Sequence, residues 1–181
     1  MKIENTAILG VHVLHFFHAG DDRGMFVKPY HAPTLIQHGL VSDYKESFYS
    51  TNQRGVIRGM HFQYPPHDHA KIVYCTSGSL TDVILDLRQG SPTYGQHVCI
   101  ELSGNNYKGV YMPSGVAHGF AVHEDNTCMI YLTSTPHAPE YDGGVHMDSF
   151  GMKWPYDQPI TSDRDQRFPT LEALESPFIY A

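Results

Sequence analysis

The sequence is poor in cysteine, in basic runs and in long apolar runs. Cys75, Cys99 and Cys128 are its only cysteines, and no two form a Cys-x-x-Cys pair. Each lies in an apolar, strand-like run, the setting of a buried, reduced thiol. No apolar run approaches the roughly 20 residues of a membrane helix, so no membrane partner is expected. The N-terminus lacks a long apolar h-region, so no signal peptide is expected and the cytoplasm is the expected compartment. Twelve Lys and Arg face 19 Asp and Glu, for a formal net charge of −7. With no basic cluster, a nucleic-acid partner is not expected. Net acidity still leaves room for an anionic ligand, because a local cationic pocket dominates its own field. Internal repeats and low-complexity segments are also absent.

What is present fits one domain over residues 1–181, with a loop-rich tail from about 135. Hydrophobic residues make up 41% of the chain and aromatics 12%, which suffices for a core. Thirteen histidines are many for this length and raise the question of a metal.

The chain reads as strand after short strand. A first strand is expected over Ala7–Leu14, a turn over Gly20–Gly24 and a strand from Met25. A short helix fits Ala32–Gly39, with Pro33 in its first turn and Gly39 at its end. Tyr44–Thr51 reads as extended. Strands follow at Val56–Gln63, Lys71–Ser77, Ser79–Leu87, His97–Leu102, Gly109–Met112, Ala117–His123 and Thr127–Thr133. Turn residues separate them, as in Ser77-Gly78 and Gln89-Gly90-Ser91-Pro92. Strands at this spacing predict an all-β sandwich or barrel. Beyond Thr133, Pro136, Pro139, Gly143-Gly144, Pro155 and Pro159 predict wrapping loops, and Leu171–Ser176 a helical turn or two.

The most informative stretch runs from Val56 to Lys71. Alternation sends Arg58, Met60 and Phe62 to one strand face and Ile57, Gly59, His61 and Gln63 to the other. Pro65 and Pro66 end this strand, and Lys71 begins the next. Two cations beside an imidazole suit an anionic substrate and a proton to be moved. Surface residues of a β-domain would give the same pattern.

These residues also carry a resemblance. Arg58-Gly59-Met60-His61-Phe62-Gln63 with Lys71 resembles the dTDP-4-dehydrorhamnose 3,5-epimerase family. The similarity continues in Asp82-Val83-Ile84-Leu85-Asp86-Leu87-Arg88, Gly90-Ser91-Pro92-Thr93-Tyr94-Gly95 and Pro113-Ser114-Gly115-Val116-Ala117-His118-Gly119-Phe120. Tyr131, Trp154-Pro155, Ser162-Asp163-Arg164-Asp165 and Pro169-Thr170-Leu171 complete it. Several motifs in order, from Asp22-Arg23-Gly24 to Leu171, make the signal specific.

The resemblance implies a cupin-type double-stranded β-helix, or jelly roll, with short peripheral helices. It implies a homodimer joined through sheet pairing, an isomerase without a cofactor or metal, and a role in deoxysugar and surface-polysaccharide synthesis. The expected substrate is a nucleoside-diphosphate 4-keto-6-deoxy sugar, epimerised at C3, C5 or both. His61 is then the base, and Asp165 fixes its tautomer. Tyr131 is the acid on the opposite face, and Lys71 stabilises the enolate. Arg58 pairs with the diphosphate. Arg23 is a second contact, and Phe26, Gln63 and His118 complete the binding set.

Four positions depart from the family pattern: Lys28, Glu46, Phe48 and His137. The first three stand where the family holds thymidine, which puts a CDP- or GDP-sugar beside dTDP. Phe48 suits stacking on a base, and Glu46 suits an exocyclic amine. His137 replaces a tyrosine that lies against sugar or base.

Two other readings remain open from sequence. One is a metal-dependent cupin enzyme using His67-Asp68-His69 with His61 and His118. The cupin Glu expected a few residues after His-x-His is absent, however, and Lys71 stands nearby. The other is a β-domain that binds a sugar nucleotide without turning it over.

Overall fold

A computed structural model describes residues 1–180. The strands are β1 (Lys2–Asn5), β2 (His12–His15), β3 (Phe17–Asp21) and β4 (Gly24–Lys28), followed by helix α1 (Ala32–Gln37). Then come β5 (Glu46–Asn52), β6 (Ile57–Gln63), β7 (Lys71–Ser77), β8 (Ser79–Asp86), β9 (His97–Ser103), β10 (Lys108–Met112), β11 (Val116–Val122) and β12 (Thr127–Thr133). The tail holds β13 (Asp142–Gly144) and the short helix α2 (Asp163–Gln166).

Two antiparallel sheets result. One has the order β1-β2-β10-β7-β12-β5, the other β13-β6-β11-β8-β9. This is the expected jelly roll, with few and short helices. Val73, Leu80, Ile84, Leu102, Val110, Phe120 and Met129 are buried together in the main core. The β3–β4 hairpin pairs with neither sheet, and Phe17, Met25 and Phe26 on it are exposed.

Several local expectations change. The chain turns between Ile8 and Val11, whose backbone bond is 3.1 Å, and pairing begins only at His12. Ile8 and Val11 are buried by packing, so their apolar character was not a strand signal. The unforeseen β1 pairs with β2. Leu171–Ser176 forms turns, and the helix of the tail lies earlier, at α2. There the Ser162 hydroxyl accepts from the Asp165 N–H and caps it. β13 adds to the edge of β6. Cys75 is buried, but Cys99 is exposed because β9 is an edge strand.

The main correction concerns β6. His61 pairs with His118, but Arg58 pairs with Phe120. Two residues on β6 thus span one on β11, which is a β-bulge. The extra residue breaks alternation and turns Arg58 and His61 into the same cavity. Glycine makes this possible. A Cβ on Gly59 would come within 2.5 Å of the Gly119 Cα, and one on Gly119 within 2.7 Å of the Arg58 carbonyl. Gly59 also has φ +123°, a region that side chains disfavour.

Candidate active site

A cavity of about 400 Å³ opens between the sheets. One wall comes from β5, β7 and β12, the other from β6 and β11. Of the expected site residues, His61, Lys71, Tyr131, Arg58, Glu46, Phe48, Gln63, His118 and His137 all line it.

His61 reaches the cavity from β6, its side chain one-third exposed. Its Nε2 is 2.9 Å from Asp165 Oδ1. A carboxylate only accepts, so Nε2 carries the proton and Nδ1 keeps its lone pair. Helix α2 holds Asp165 at this spot, and the Gly59 N–H donates to Asp165 Oδ2 at 3.0 Å. Burial alone raises the Asp165 pKa, but His61, the Gly59 N–H and Ser162 outweigh it and hold the carboxyl below its usual value.

Tyr131 lies on the opposite sheet and is buried. Its ring stacks on Phe48, with centroids 4.6 Å apart and planes 14° apart. Burial raises the phenol pKa, so Tyr131 stays protonated. Its hydroxyl is 3.3 Å from Ser50 Oγ.

Lys71 stands at the start of β7. Burial lowers its pKa to about 8, against the opposing fields of Asp82 and Asp142. His118 donates from Nε2 to Asp82 Oδ1 at 2.6 Å, and both groups are buried. Burial lowers the His118 pKa, with Asp82 acting in the other direction. Arg58 donates from Nε to Asn52 Oδ1 at 2.8 Å, which leaves the rest of its guanidinium fork uncommitted to Asn52.

The far end of the cavity is tied together by Gln63. Its Nε2 donates to the His67 carbonyl at 2.7 Å, and its Oε1 accepts from the Ala138 N–H at 2.8 Å. Glu46 Oε2 accepts from the His137 N–H at 2.6 Å. Glu46 and Phe48 are therefore engaged inside the chain, one holding the tail and the other covering Tyr131.

Arg23, Phe26 and Lys28 do not join this cavity. They sit on the exposed β3–β4 hairpin, where Arg23 pairs with Asp21. The His67-Asp68-His69 run also parts. His67 packs on Tyr141, Asp68 accepts from Ser114, and His69 Nδ1 meets Gln63. Burial pushes the His69 pKa down to about 3, with Lys71 adding to it, so the ring is neutral. Among the described residues, no three of His, Cys, Asp and Glu converge as a metal site. No helix among them is long and apolar enough to cross a membrane.

Two residues were missed. Asp82 is a fully buried carboxylate, which requires a partner. Arg164 neighbours Asp165 and lines the cavity, bonded to Asp142 at 2.8 Å and lying over Phe168. Its place in the Ser162-Asp163-Arg164-Asp165 motif was the available signal.

Known proteins match most of the chain in sequence and fold. The family profile of dTDP-4-dehydrorhamnose 3,5-epimerase matches residues 5–173. The dTDP-4-dehydrorhamnose 3,5-epimerase of Mycolicibacterium smegmatis is 35% identical over 158 residues, 86% of this chain and 79% of that protein. The dTDP-4-dehydrorhamnose 3-epimerase of Streptomyces niveus is 35% identical over 169 residues, 92% and 82% of the two chains. The structure of dTDP-6-deoxy-D-glucose-3,5-epimerase from Legionella pneumophila in complex with dTDP-4-keto-L-rhamnose superposes with a TM-score of 0.94. It is 30% identical and covers 99% of this chain and 98% of its own. The His61–Asp165 pair, Tyr131 and Lys71 sit on a matching jelly roll, and the chain belongs to the dTDP-4-dehydrorhamnose 3,5-epimerase family.

Proposed function

We propose that this epimerase inverts C3, C5 or both of a nucleoside-diphosphate 4-keto-6-deoxy sugar, with dTDP as the nucleotide. The observation that carries the reading is the His61–Asp165 pair facing Tyr131 across one cavity, with Lys71 between the sheets. His61 Nδ1 takes the proton from the carbon beside the ketone. The C–H electron pair moves into an enolate whose oxygen the Lys71 ammonium stabilises. Tyr131 delivers its proton to the other face of that carbon, and solvent restores both groups. Arg58 and Arg164, both lining the cavity, hold the diphosphate. The choice of dTDP rests on the relatives: the Legionella protein was solved with dTDP-4-keto-L-rhamnose.

The test is incubation with dTDP-4-keto-6-deoxyglucose, followed by NMR. Loss of the starting C3 or C5 configuration supports the proposal. Tight binding without any inversion favours the non-catalytic binding domain instead.

The functional unit is a homodimer in this reading, and the cytoplasm is its place. Phe17, Met25 and Phe26 are each at least half exposed on a hairpin that pairs with neither sheet of its own chain. A second copy is the surface that covers them and pairs the unused edge. It also offers Arg23, Phe26 and Lys28 a place near a partner's cavity. Light scattering is expected to give about twice the 20.4 kDa chain mass. A monomer mass at micromolar concentration rejects this assembly.

A further inference from the structure

We infer that Phe48 is a positioning residue for Tyr131: it forms one side of a slot that holds the phenol in line for proton delivery. The inference rests on the reading of Tyr131 as the acid.

Hydrogen bonding alone holds the phenol poorly. Its hydroxyl has one protein partner among the described residues, Ser50 Oγ, at 3.3 Å, well beyond the usual O–H···O length. A proton carried to one face of a flat enolate needs an acid fixed to a fraction of an ångström, because small misplacements slow transfer steeply. The backbone supplies the first constraint, since Phe48 and Tyr131 are direct cross-strand partners on β5 and β12. The rings then stack almost parallel, with centroids 4.6 Å apart. Tyr131 also meets the His118 ring in an edge-to-face arrangement, at 6.2 Å and 71°. That ring is itself pinned to the buried Asp82 at 2.6 Å. Tyr131 thus packs on a stacked ring and on an anchored one, and tilting toward β5 is blocked by Phe48.

The exposures show which of the two stacked rings lies outside. One ring face is already covered by Tyr131. Phe48 is 45% exposed while Tyr131 is 8% exposed, so Phe48 forms the outer wall and the phenol faces inward. An Ala, Asn or Ser here would leave the slot open on the solvent side. A Tyr would keep the stack.

The experiment compares wild-type protein, Phe48→Ala, Phe48→Tyr and Tyr131→Phe in deuterium oxide with dTDP-4-keto-6-deoxyglucose. Three quantities are read: deuterium entering beside the ketone, net inversion, and KM. Phe48→Ala is expected to lower the ratio of inversion to exchange on the order of ten- to a hundredfold. Phe48→Tyr should restore the ratio to within about threefold of wild type, which a general folding defect would not do. In a Tyr131→Phe background, Phe48→Ala should leave the ratio where Tyr131→Phe alone puts it. A Phe48→Ala protein with an unchanged ratio and a raised KM overturns the inference and makes Phe48 a substrate platform. Should Tyr131→Phe itself keep the wild-type ratio, the acid assignment fails and the inference falls with it. Absence of exchange in wild type sinks the functional reading as a whole.

Discussion

Replacing His61 with alanine is expected to slow turnover on the order of a thousandfold or more. His61 is the one imidazole in the cavity whose ring is held by a carboxylate and still one-third exposed to the opening. His118 is also held by a carboxylate, but it is buried and tied to Asp82. His69 is bonded to Gln63, and His137 lies at the rim. None of them stands ready to take over the proton. The alanine variant also leaves the buried Asp165 carboxylate with fewer partners, so some loss of stability accompanies it. His61→Asn keeps a donor to Asp165 and separates the two effects. It should fold like wild type, with an unchanged melting temperature to within a few degrees, and be as slow as His61→Ala. A His61→Asn protein with wild-type kcat contradicts the assignment.

Lys71→Met is expected to cost about a hundred- to a thousandfold in kcat. The enolate places a full negative charge on the ketone oxygen, and a buried ammonium offsets it without reorganisation of solvent. Met has nearly the same length and no charge, so the cavity keeps its shape. The pH dependence follows from burial. The Lys71 pKa is lowered from 10.5 to about 8, so the ammonium is present below about pH 8 and lost above it. Activity should therefore fall on the alkaline side with a midpoint near pH 8. Lys71→Arg, whose guanidinium stays charged, should move that limb out of the measurable range even where its rate is lower. A limb that stays in place in Lys71→Arg assigns it to another group.

Much of this site was legible because its chemistry is concentrated in short motifs. The Arg-Gly-Met-His strand, Lys71, the His118 segment and Tyr131 carried the cavity, and turn residues at regular spacing carried the sandwich. What the residues alone, without the family resemblance, could not show was longer in range. Asp165 is 104 residues from His61, and only the return of the tail over β6 brings them together. Alternation misplaced Arg58, because a bulge at Gly59 is not visible in a pattern of apolar residues. Glu46 and Phe48 were read as ligand groups, and both line the cavity, but each also has a partner within the chain. Their partners, the His137 backbone and the Tyr131 ring, appear only once β5 pairs with β12 and the tail closes over it. Arg23, Phe26 and Lys28 were grouped with the pocket, but a hairpin projects them away from their own chain's cavity.

The most direct test of the two-faced mechanism is deuterium incorporation at the carbons beside the ketone, measured with enzyme in excess over dTDP-4-keto-6-deoxyglucose. Wild-type protein should place one deuterium on each carbon it inverts. Tyr131→Phe should still admit deuterium there while inverting at least tenfold more slowly than it exchanges, since His61 remains. His61→Ala should do neither. Wild-type deuterium entry in His61→Ala, or inversion without any deuterium in the product, would contradict proton transfer between His61 and Tyr131.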